Sequence, residues 1–111
     1  MNVTRYDQAP QYFPENHFDM RCVRLQGHEA GPAQSLWLGV STIEPGGHTT
    51  MSASALEKHY VVLAGELTVQ TEEGEVVLRA NDSCRLAPNE RRALKNRSSA
   101  PVSVLLAMPF A

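Results

Sequence analysis

Residues able to bind anions and exchange protons are concentrated in two short stretches of the chain. The first stretch, residues 45–66, reads PGGHTTMSASALEKHYVVLAGE and places Lys58 two positions before Tyr60. The second stretch, residues 88–96, reads PNERRALKN and contains Arg92. Because residues two apart on a β-strand point to the same face, Lys58 and Tyr60 are predicted to share a face. An ammonium, a phenol and a guanidinium brought together would attract an anion and transfer protons.

We predict that Lys58, Tyr60 and Arg92 are catalytic residues facing one cavity. Burial and a neighbouring arginine both lower the pKa of a lysine, which suits Lys58 to act as a general base or a Schiff-base nucleophile. Tyr60 would donate a proton, and Arg92 would hold a carboxylate or stabilise an enolate. Such chemistry fits an isomerase, lyase or tautomerase. In the alternative interpretation, Lys58 forms a surface ion pair that carries no function.

Five further side chains are predicted to bind the substrate at the mouth of this cavity: Ser52, Ser54, Trp37, His48 and Asn96. The serines would supply hydroxyl groups, and Trp37 would supply the apolar wall that a ligand pocket needs. His48 follows two glycines, so it either reaches the ligand or caps their turn. The expected ligand is a small, anionic or carbonyl-bearing molecule.

Short strands are predicted for most of the chain. Apolar and polar residues alternate over 20–25, and large apolar or β-branched residues dominate 35–43. A Pro-Gly-Gly sequence at 45–47 is expected to end the second of these strands. Further strands are predicted over 59–63, 67–71, 76–78, 83–86, 92–96 and 102–108. No ten-residue segment has helical periodicity, and the pattern predicts an all-β sandwich or barrel.

Both chemistry-bearing stretches resemble the sequence motifs of the cupin superfamily. The first family motif is G-x5-H-x-H-x3–4-E-x6-G, and this chain keeps its glycine turn at 45–47 and Gly65 at its end. The second motif is G-x5-P-x-G-x2-H-x3-N, and here Pro88 and Asn96 match, while Asn81 stands in place of the first glycine. Asparagine tolerates the left-handed backbone conformation that glycine would take. The resemblance implies an all-β fold, a cupin double-stranded β-helix forming one antiparallel jelly-roll barrel.

The positions of the family's metal ligands hold other residues in this chain. Ser52 and Ser54 replace two histidines, Lys58 falls at the glutamate position, and Arg92 falls at the last histidine. These side chains are poor metal ligands, so we expect neither a metal nor another cofactor. One alternative is a metal-dependent dioxygenase that relocates its ligands to four other residues: His48, Glu57, His59 and Cys84. The other alternative is a non-catalytic module that binds or senses a small acid.

Residues 1–19 are predicted to form an ordered N-terminal arm, and residues 20–111 are predicted to form the barrel. The arm contains two prolines and four aromatic residues, which suits packing on the barrel or on a second copy. The arm and the apolar last strand are the expected interface of a homodimer. His17 in the arm and His28 in a loop are expected to be surface residues.

The composition of the chain limits which binding partners and which cellular location we expect. The formal net charge is −2 and the hydrophobic content is 42%, so a nucleic-acid partner is not expected. The two cysteines are far apart in sequence and are expected to be reduced thiols. The first residues lack the apolar core of a signal peptide, and no run approaches the roughly 20 apolar residues that span a bilayer. We therefore expect a cytoplasmic protein that does not bind a membrane.

Overall fold

Nearly all regular structure in the chain is β-strand. The computed structural model describes residues 1–110, and Ala111, the last residue of the predicted barrel, lies outside that range. The described residues form nine strands: β1 (Gln11–Tyr12), β2 (His17–Gln26), β3 (Leu36–Thr49), β4 (Lys58–Ala64), β5 (Leu67–Thr71), β6 (Gly74–Leu78), β7 (Ser83–Leu86), β8 (Arg92–Lys95) and β9 (Val102–Pro109). Two single 3-10 turns, Tyr6–Gln8 and His28–Ala30, are the helical elements of the same range. No helix within it is long and apolar enough to cross a membrane.

All strand pairs are antiparallel, and the sheet curls into a nearly closed barrel. The main path of hydrogen-bonded strands runs β6-β5-β8-β3-β9-β4-β7, while β2 pairs with β3 and β1 pairs with β2. Because β3 pairs with β2, β8 and β9, it joins the arm to both halves of the barrel. The predicted fold class, an all-β cupin jelly-roll barrel, is confirmed.

Strand β3 continues where the sequence predicted an end. The Pro-Gly-Gly sequence at 45–47 lies inside the strand, so that prediction is wrong. The ladder of β3 with β9 ends at Ile43, and the ladder with β2 is interrupted between Ile43 and His48, where pairing with β8 begins. Pro45 therefore lies in a gap where no ladder hydrogen bond is required of it. Gly46 takes φ +83 and donates its N–H to the carbonyl of Asn96 at 2.9 Å, so the strand changes partner here.

The other predicted strands lie within a few residues of their observed bounds. The 67–71 and 83–86 strands have the predicted ends, and the last strand extends one residue further, to Pro109. Asn81 adopts φ +74, so asparagine does take the left-handed conformation at the position of the family's glycine.

Successive side chains of β4 point to opposite faces of the sheet, and the face that carries Lys58 and Tyr60 points into the barrel. Tyr60 and Val62 are buried, whereas His59 and Leu63 are exposed. Val62 belongs to a core cluster contributed by seven strands: Ile43, Tyr60, Val62, Leu67, Val69, Leu78, Leu86, Leu94, Val102 and Val104. The predicted inward face of this strand is therefore confirmed, and Lys58 lies two residues before Tyr60 on that face.

Part of the N-terminal arm belongs to the sheet. Strand β1 pairs with β2 through Gln11 with Val23 and Tyr12 with Cys22, and β2 already begins at His17. At the other end of the chain, β9 lies between β3 and β4, so both of its edges are paired within the chain. The homodimer stays a prediction.

Candidate active site

A cavity of about 360 Å³ opens into the barrel. Its volume lies within the roughly 300–1,000 Å³ typical of small-molecule sites. The cavity is lined by aromatic, apolar and cationic side chains: Tyr12, Phe13, Pro14, His17, Met20, Arg24, Trp37, Ser41, Lys58, Tyr60, Arg92, Leu94, Leu106 and Met108. These residues include no aspartate or glutamate, so within the described chain the cavity has no anionic side chain of its own.

Four of the predicted site residues meet in this cavity, and they come from three different strands. Lys58 and Tyr60 come from β4, Arg92 begins β8, and Trp37 lies near the start of β3. Trp37 is buried and forms part of the apolar wall, as predicted. The sequence therefore located four of the residues that line this cavity, and what they do there stays a prediction.

Arg92 is a buried cation at the centre of a hydrogen-bond network. The residue as a whole is only 4% exposed. Nε donates to the Tyr60 hydroxyl at 3.2 Å, and Nη1 donates to the hydroxyls of Ser52 at 3.0 Å and Thr49 at 3.4 Å. All three acceptors are neutral, and none of the ion pairs among residues 1–110 includes Arg92. The protein therefore fixes this guanidinium in place and leaves its charge uncompensated.

Lys58 is a half-buried ammonium in the same cavity. Desolvation by burial, followed by the charge of Arg92, lowers the pKa of Lys58 from 10.5 to about 8. This shift has the direction and the two causes that the sequence predicted. Within the described residues, Lys58 takes part in no ion pair, so no contact supports the surface-pair interpretation. A lysine with this pKa can exist in both protonation states near neutral pH.

Tyr60 keeps its proton in this environment. Desolvation raises its pKa, and this effect outweighs the opposing influence of the Arg92 charge and hydrogen bond. Its hydroxyl oxygen accepts the hydrogen bond from Arg92, so the hydroxyl proton is free to be donated to a ligand. Tyr60 is therefore a candidate hydrogen-bond donor.

The two predicted rim serines do not line this cavity. Ser52 lies behind Arg92: its hydroxyl accepts from that side chain, and the two residues exchange backbone hydrogen bonds of 2.9 Å. Ser54 Oγ accepts the backbone N–H of Leu56 at 3.0 Å. Both serines lie in the segment that precedes β4, and this segment pairs with the start of β8 through a bridge between Ser52 and Arg92. Together with Arg92, the serines line a separate small pocket outside the cavity. Ser52 can act on a ligand only by positioning Arg92.

Asn96 and His48 also lie outside the cavity, in contrast to the prediction. Asn96 follows β8 by one residue and turns into the loop that joins β8 to β9. His48 is exposed, its ring stacks on Phe18 at 5.0 Å, and Nδ1 lies 3.2 Å from the carbonyl oxygen of Gly46. Of the two interpretations for His48, the structure supports the turn cap.

Asn96→Ala is expected to destabilise the fold by about 2–4 kcal/mol, because it removes the side-chain donor of the buried Ile43 carbonyl together with the other hydrogen bonds of a buried amide. Asn96 Nδ2 donates to the carbonyls of Ile43 at 2.9 Å and Ala100 at 2.8 Å, and Oδ1 accepts from the Ser98 backbone at 2.9 Å. Urea unfolding measures the loss, and exposed Gln34→Ala is the control for removing an amide. An Asn96→Ala protein as stable as wild type would contradict this structural role.

His17 and Arg24 are cavity residues that were not predicted from the sequence. His17, expected on the surface, is half-buried and lines the cavity, so that expectation is wrong. It starts β2 opposite Thr49, and this register brings it towards the Arg92 network. Arg24 packs its guanidinium 3.7 Å from the ring centroid of Tyr12 and 4.3 Å from that of Trp37. The only available signal for either residue was strand pairing, which the sequence pattern does not reveal.

The residues at the family's metal positions do not fit a metal ion. Two hydroxyls, an ammonium and a guanidinium occupy them, and two of these groups carry positive charge. The relocated set does not assemble either, since no group of three or more His, Cys, Asp or Glu side chains within residues 1–110 could hold a metal. Glu57 pairs instead with Arg85 on the outer surface.

A family comparison agrees with this architecture. The model of a family described as "Cupin domain" matches residues 39–108, which is more than half of the chain. The chain belongs to the cupin family. The matched region includes Lys58, Tyr60 and Arg92, whereas His17 and Arg24 precede it.

One relative of this cupin is similar over nearly its whole length. A Mycobacterium tuberculosis protein named Beta-D-galactosidase Rv1717 is 40% identical over 106 residues, which is 96% of this chain and 91% of the relative. Two solved structures share the fold at low identity. The polyketide cyclase RemF from Streptomyces resistomycificus has a TM-score of 0.87 and 13% identity, covering 98% of this chain and 79% of its own. A sugar phosphate isomerase from Silicibacter pomeroyi has a TM-score of 0.74 and 18% identity, covering 84% and 60% respectively.

Proposed function

We propose that this cupin binds a small anionic or carbonyl-bearing metabolite in its cavity and catalyses proton transfer on it without a metal, as an isomerase or a lyase. The observation that carries the proposal is the buried Arg92, whose charge has no carboxylate partner among the described residues. A buried, unpaired cation is costly, and an anionic ligand would supply the missing partner. Lys58 adds a second positive charge at the same place.

A sugar acid is the ligand class that fits these residues best. The relative with 40% identity bears the name of an enzyme that acts on a galactoside, which favours a carbohydrate. The cavity joins aromatic side chains, Tyr12 and Trp37, to the cationic group of Lys58 and Arg92. Aromatic walls suit the apolar face of a sugar ring, and the cations suit a carboxylate on that ring. A uronic acid or a small uronide has both features.

For a uronide, the balanced lyase step is a β-elimination. A base removes the proton from the carbon next to the carboxylate, and the electron pair forms a double bond to the neighbouring carbon. The bond from that neighbouring carbon to the glycosidic oxygen breaks, and the oxygen takes up a proton. Arg92 would hold the carboxylate and stabilise the charge that spreads onto it, with Tyr60 donating a hydrogen bond. Lys58 would carry one of the transferred protons.

Isothermal titration with D-galacturonate tests the binding part of this proposal. We expect saturable binding by protein treated with a chelator, and much weaker binding of D-galactose, which has the same ring without the carboxylate. Binding of the neutral sugar at equal or higher affinity would contradict an anion site. D-Galacturonate binding combined with no turnover of any uronide would identify the non-catalytic module instead.

Hydrolysis of β-D-galactosides is the second candidate function, and the name of the 40% identical relative favours it. Most glycosidases use two carboxylates placed about 5–9.5 Å apart. The cavity lining offers no carboxylate, so a hydrolase working here would depart from that mechanism. Parallel assays with o-nitrophenyl β-D-galactoside and digalacturonate separate the candidates. Release of nitrophenol supports hydrolysis, whereas a new ultraviolet absorbance from a conjugated double bond supports elimination.

A further inference from the structure

The N-terminal arm contributes a histidine to the cavity, at the position where β2 begins. We infer that His17 is a further catalytic residue, the base that removes the substrate proton, while Lys58 donates the proton to the leaving oxygen. This inference rests on the proposed function and assigns a direction to its proton transfer. It also makes the arm a part of the active site.

Strand register brings His17 towards the anion-binding group. His17 pairs with Thr49, and the Thr49 hydroxyl accepts a hydrogen bond from Arg92 at 3.4 Å. His17 lines the same cavity as Lys58 and Arg92. A carboxylate held by Arg92 would therefore place its neighbouring carbon in a cavity that His17 also faces.

One hydrogen bond fixes the tautomer of His17. Nδ1 lies 2.6 Å from the backbone carbonyl oxygen of Glu15, and a carbonyl can only accept, so Nδ1 carries the proton. In the neutral ring Nε2 then has the lone pair that a base requires. The Glu15 carbonyl also holds the ring in one orientation, as the partner of a catalytic histidine does.

Burial and, to a smaller extent, neighbouring positive charges favour the neutral ring of His17. Desolvation lowers the pKa of His17, and the positive charges of Arg92 on β8 and Lys58 on β4 lower it further, against the opposing hydrogen bond to Glu15. The other titratable groups lining the cavity are Tyr12 on β1, Arg24 on β2 and Tyr60 on β4, and none of these is a carboxylate that would stabilise imidazolium.

His17 and Lys58 are complementary at neutral pH. With its pKa lowered, His17 holds a lone pair, while Lys58, with a pKa of about 8, holds a proton. In the β-elimination, Nε2 takes the carbon-bound proton as the glycosidic oxygen takes a proton from Lys58 Nζ. Afterwards imidazolium and neutral amine exchange protons with water, which restores both groups. One base and one acid are thus ready in the same cavity.

A histidine variant tests this assignment through the pH profile. His17→Asn retains an N–H that can donate to Glu15, but it removes the Nε2 base. With digalacturonate as the probe, we expect wild-type kcat/KM to fall on the acid side as His17 is protonated and on the basic side above about pH 8. His17→Asn should lower kcat/KM about 100-fold and abolish the acid limb while the basic limb stays. Exposed His59→Asn on the outer face of β4 is the matched control, with unchanged kinetics.

NMR of the imidazole rings gives a readout that does not depend on turnover. We expect the Nδ1–H tautomer for His17, and we expect its pKa to rise in Lys58→Met because a neighbouring positive charge is removed. A pKa that does not move in Lys58→Met, or full activity of His17→Asn with an unchanged acid limb, would overturn the inference and leave the proposed function standing. Wild-type protein that neither binds D-galacturonate nor turns over digalacturonate would overturn both.

Discussion

Replacing Lys58 by methionine is expected to lower kcat/KM for digalacturonate about 10²- to 10⁴-fold, the usual contribution of a general acid or base. Methionine keeps most of the apolar length of the side chain and removes the group that carries the proton. The barrel should stay folded, because desolvation of the Lys58 charge already opposes its ionised form in the cavity. Initial rates and thermal unfolding of the same samples measure both effects.

Lys95→Met is the matched control for this experiment. Lys95 is a half-buried lysine on β8, one position before Asn96, and it does not line the cavity. Its replacement removes the same charge from the same barrel, so kcat/KM should change little. Full activity of Lys58→Met would remove Lys58 from the mechanism, and an equal loss in both variants would attribute the effect to net charge.

Replacing Arg92 by methionine is expected to weaken D-galacturonate binding about 10- to 100-fold, since hydrogen bonds to a charged group contribute about 1.5–3 kcal/mol each. The free energy of unfolding should change little or increase, because the variant removes a buried cation that has only neutral partners. Weaker binding without loss of stability is the expected signature of a residue kept for its ligand. Calorimetric titration and urea unfolding measure the two quantities.

Arg91→Met provides the neighbouring control. Arg91 is exposed, and its Nε lies 3.7 Å from a carboxylate oxygen of Glu72. Its removal should affect neither affinity nor stability by more than a few tenths of a kcal/mol. Arg92→Met should also raise the pKa of Lys58 towards its ordinary value, because the Arg92 charge is one of the two causes of its depression. D-Galacturonate bound equally well by Arg92→Met and wild type would contradict an anion site at Arg92.

Local pattern, together with the resemblance to the cupin motifs, was sufficient to predict the barrel and its inward faces. Alternation placed Lys58 and Tyr60 on one face of β4, and the apolar stretch before the glycine turn placed Trp37 in the cavity wall. The left-handed backbone conformation of Asn81, at φ +74, was predictable because asparagine is one of the few residues other than glycine that tolerate it. These features depend on neighbours within a few positions, which a sequence displays directly.

The remaining site residues depend on pairing between distant segments. His17 reaches the cavity through the register of β2 on β3, which pairs it with Thr49, 32 positions later. Asn96 looked like a continuation of the inward face of β8, but the strand ends at Lys95 and the side chain bonds to the carbonyls of Ile43 and Ala100. Ser54 resembled a rim residue, yet its hydroxyl accepts from a backbone N–H two positions away. Such partners are fixed only once the whole barrel has closed.

The central claim is that Arg92 and Lys58 form an anion site that works without a metal. Elemental analysis and calorimetric titration of one purified sample test it most directly, with D-galacturonate titrated before and after dialysis against a chelator. We expect far less than one equivalent of Fe, Mn, Ni or Zn per chain and the same affinity in both titrations. A stoichiometric metal whose removal abolishes D-galacturonate binding would contradict the claim.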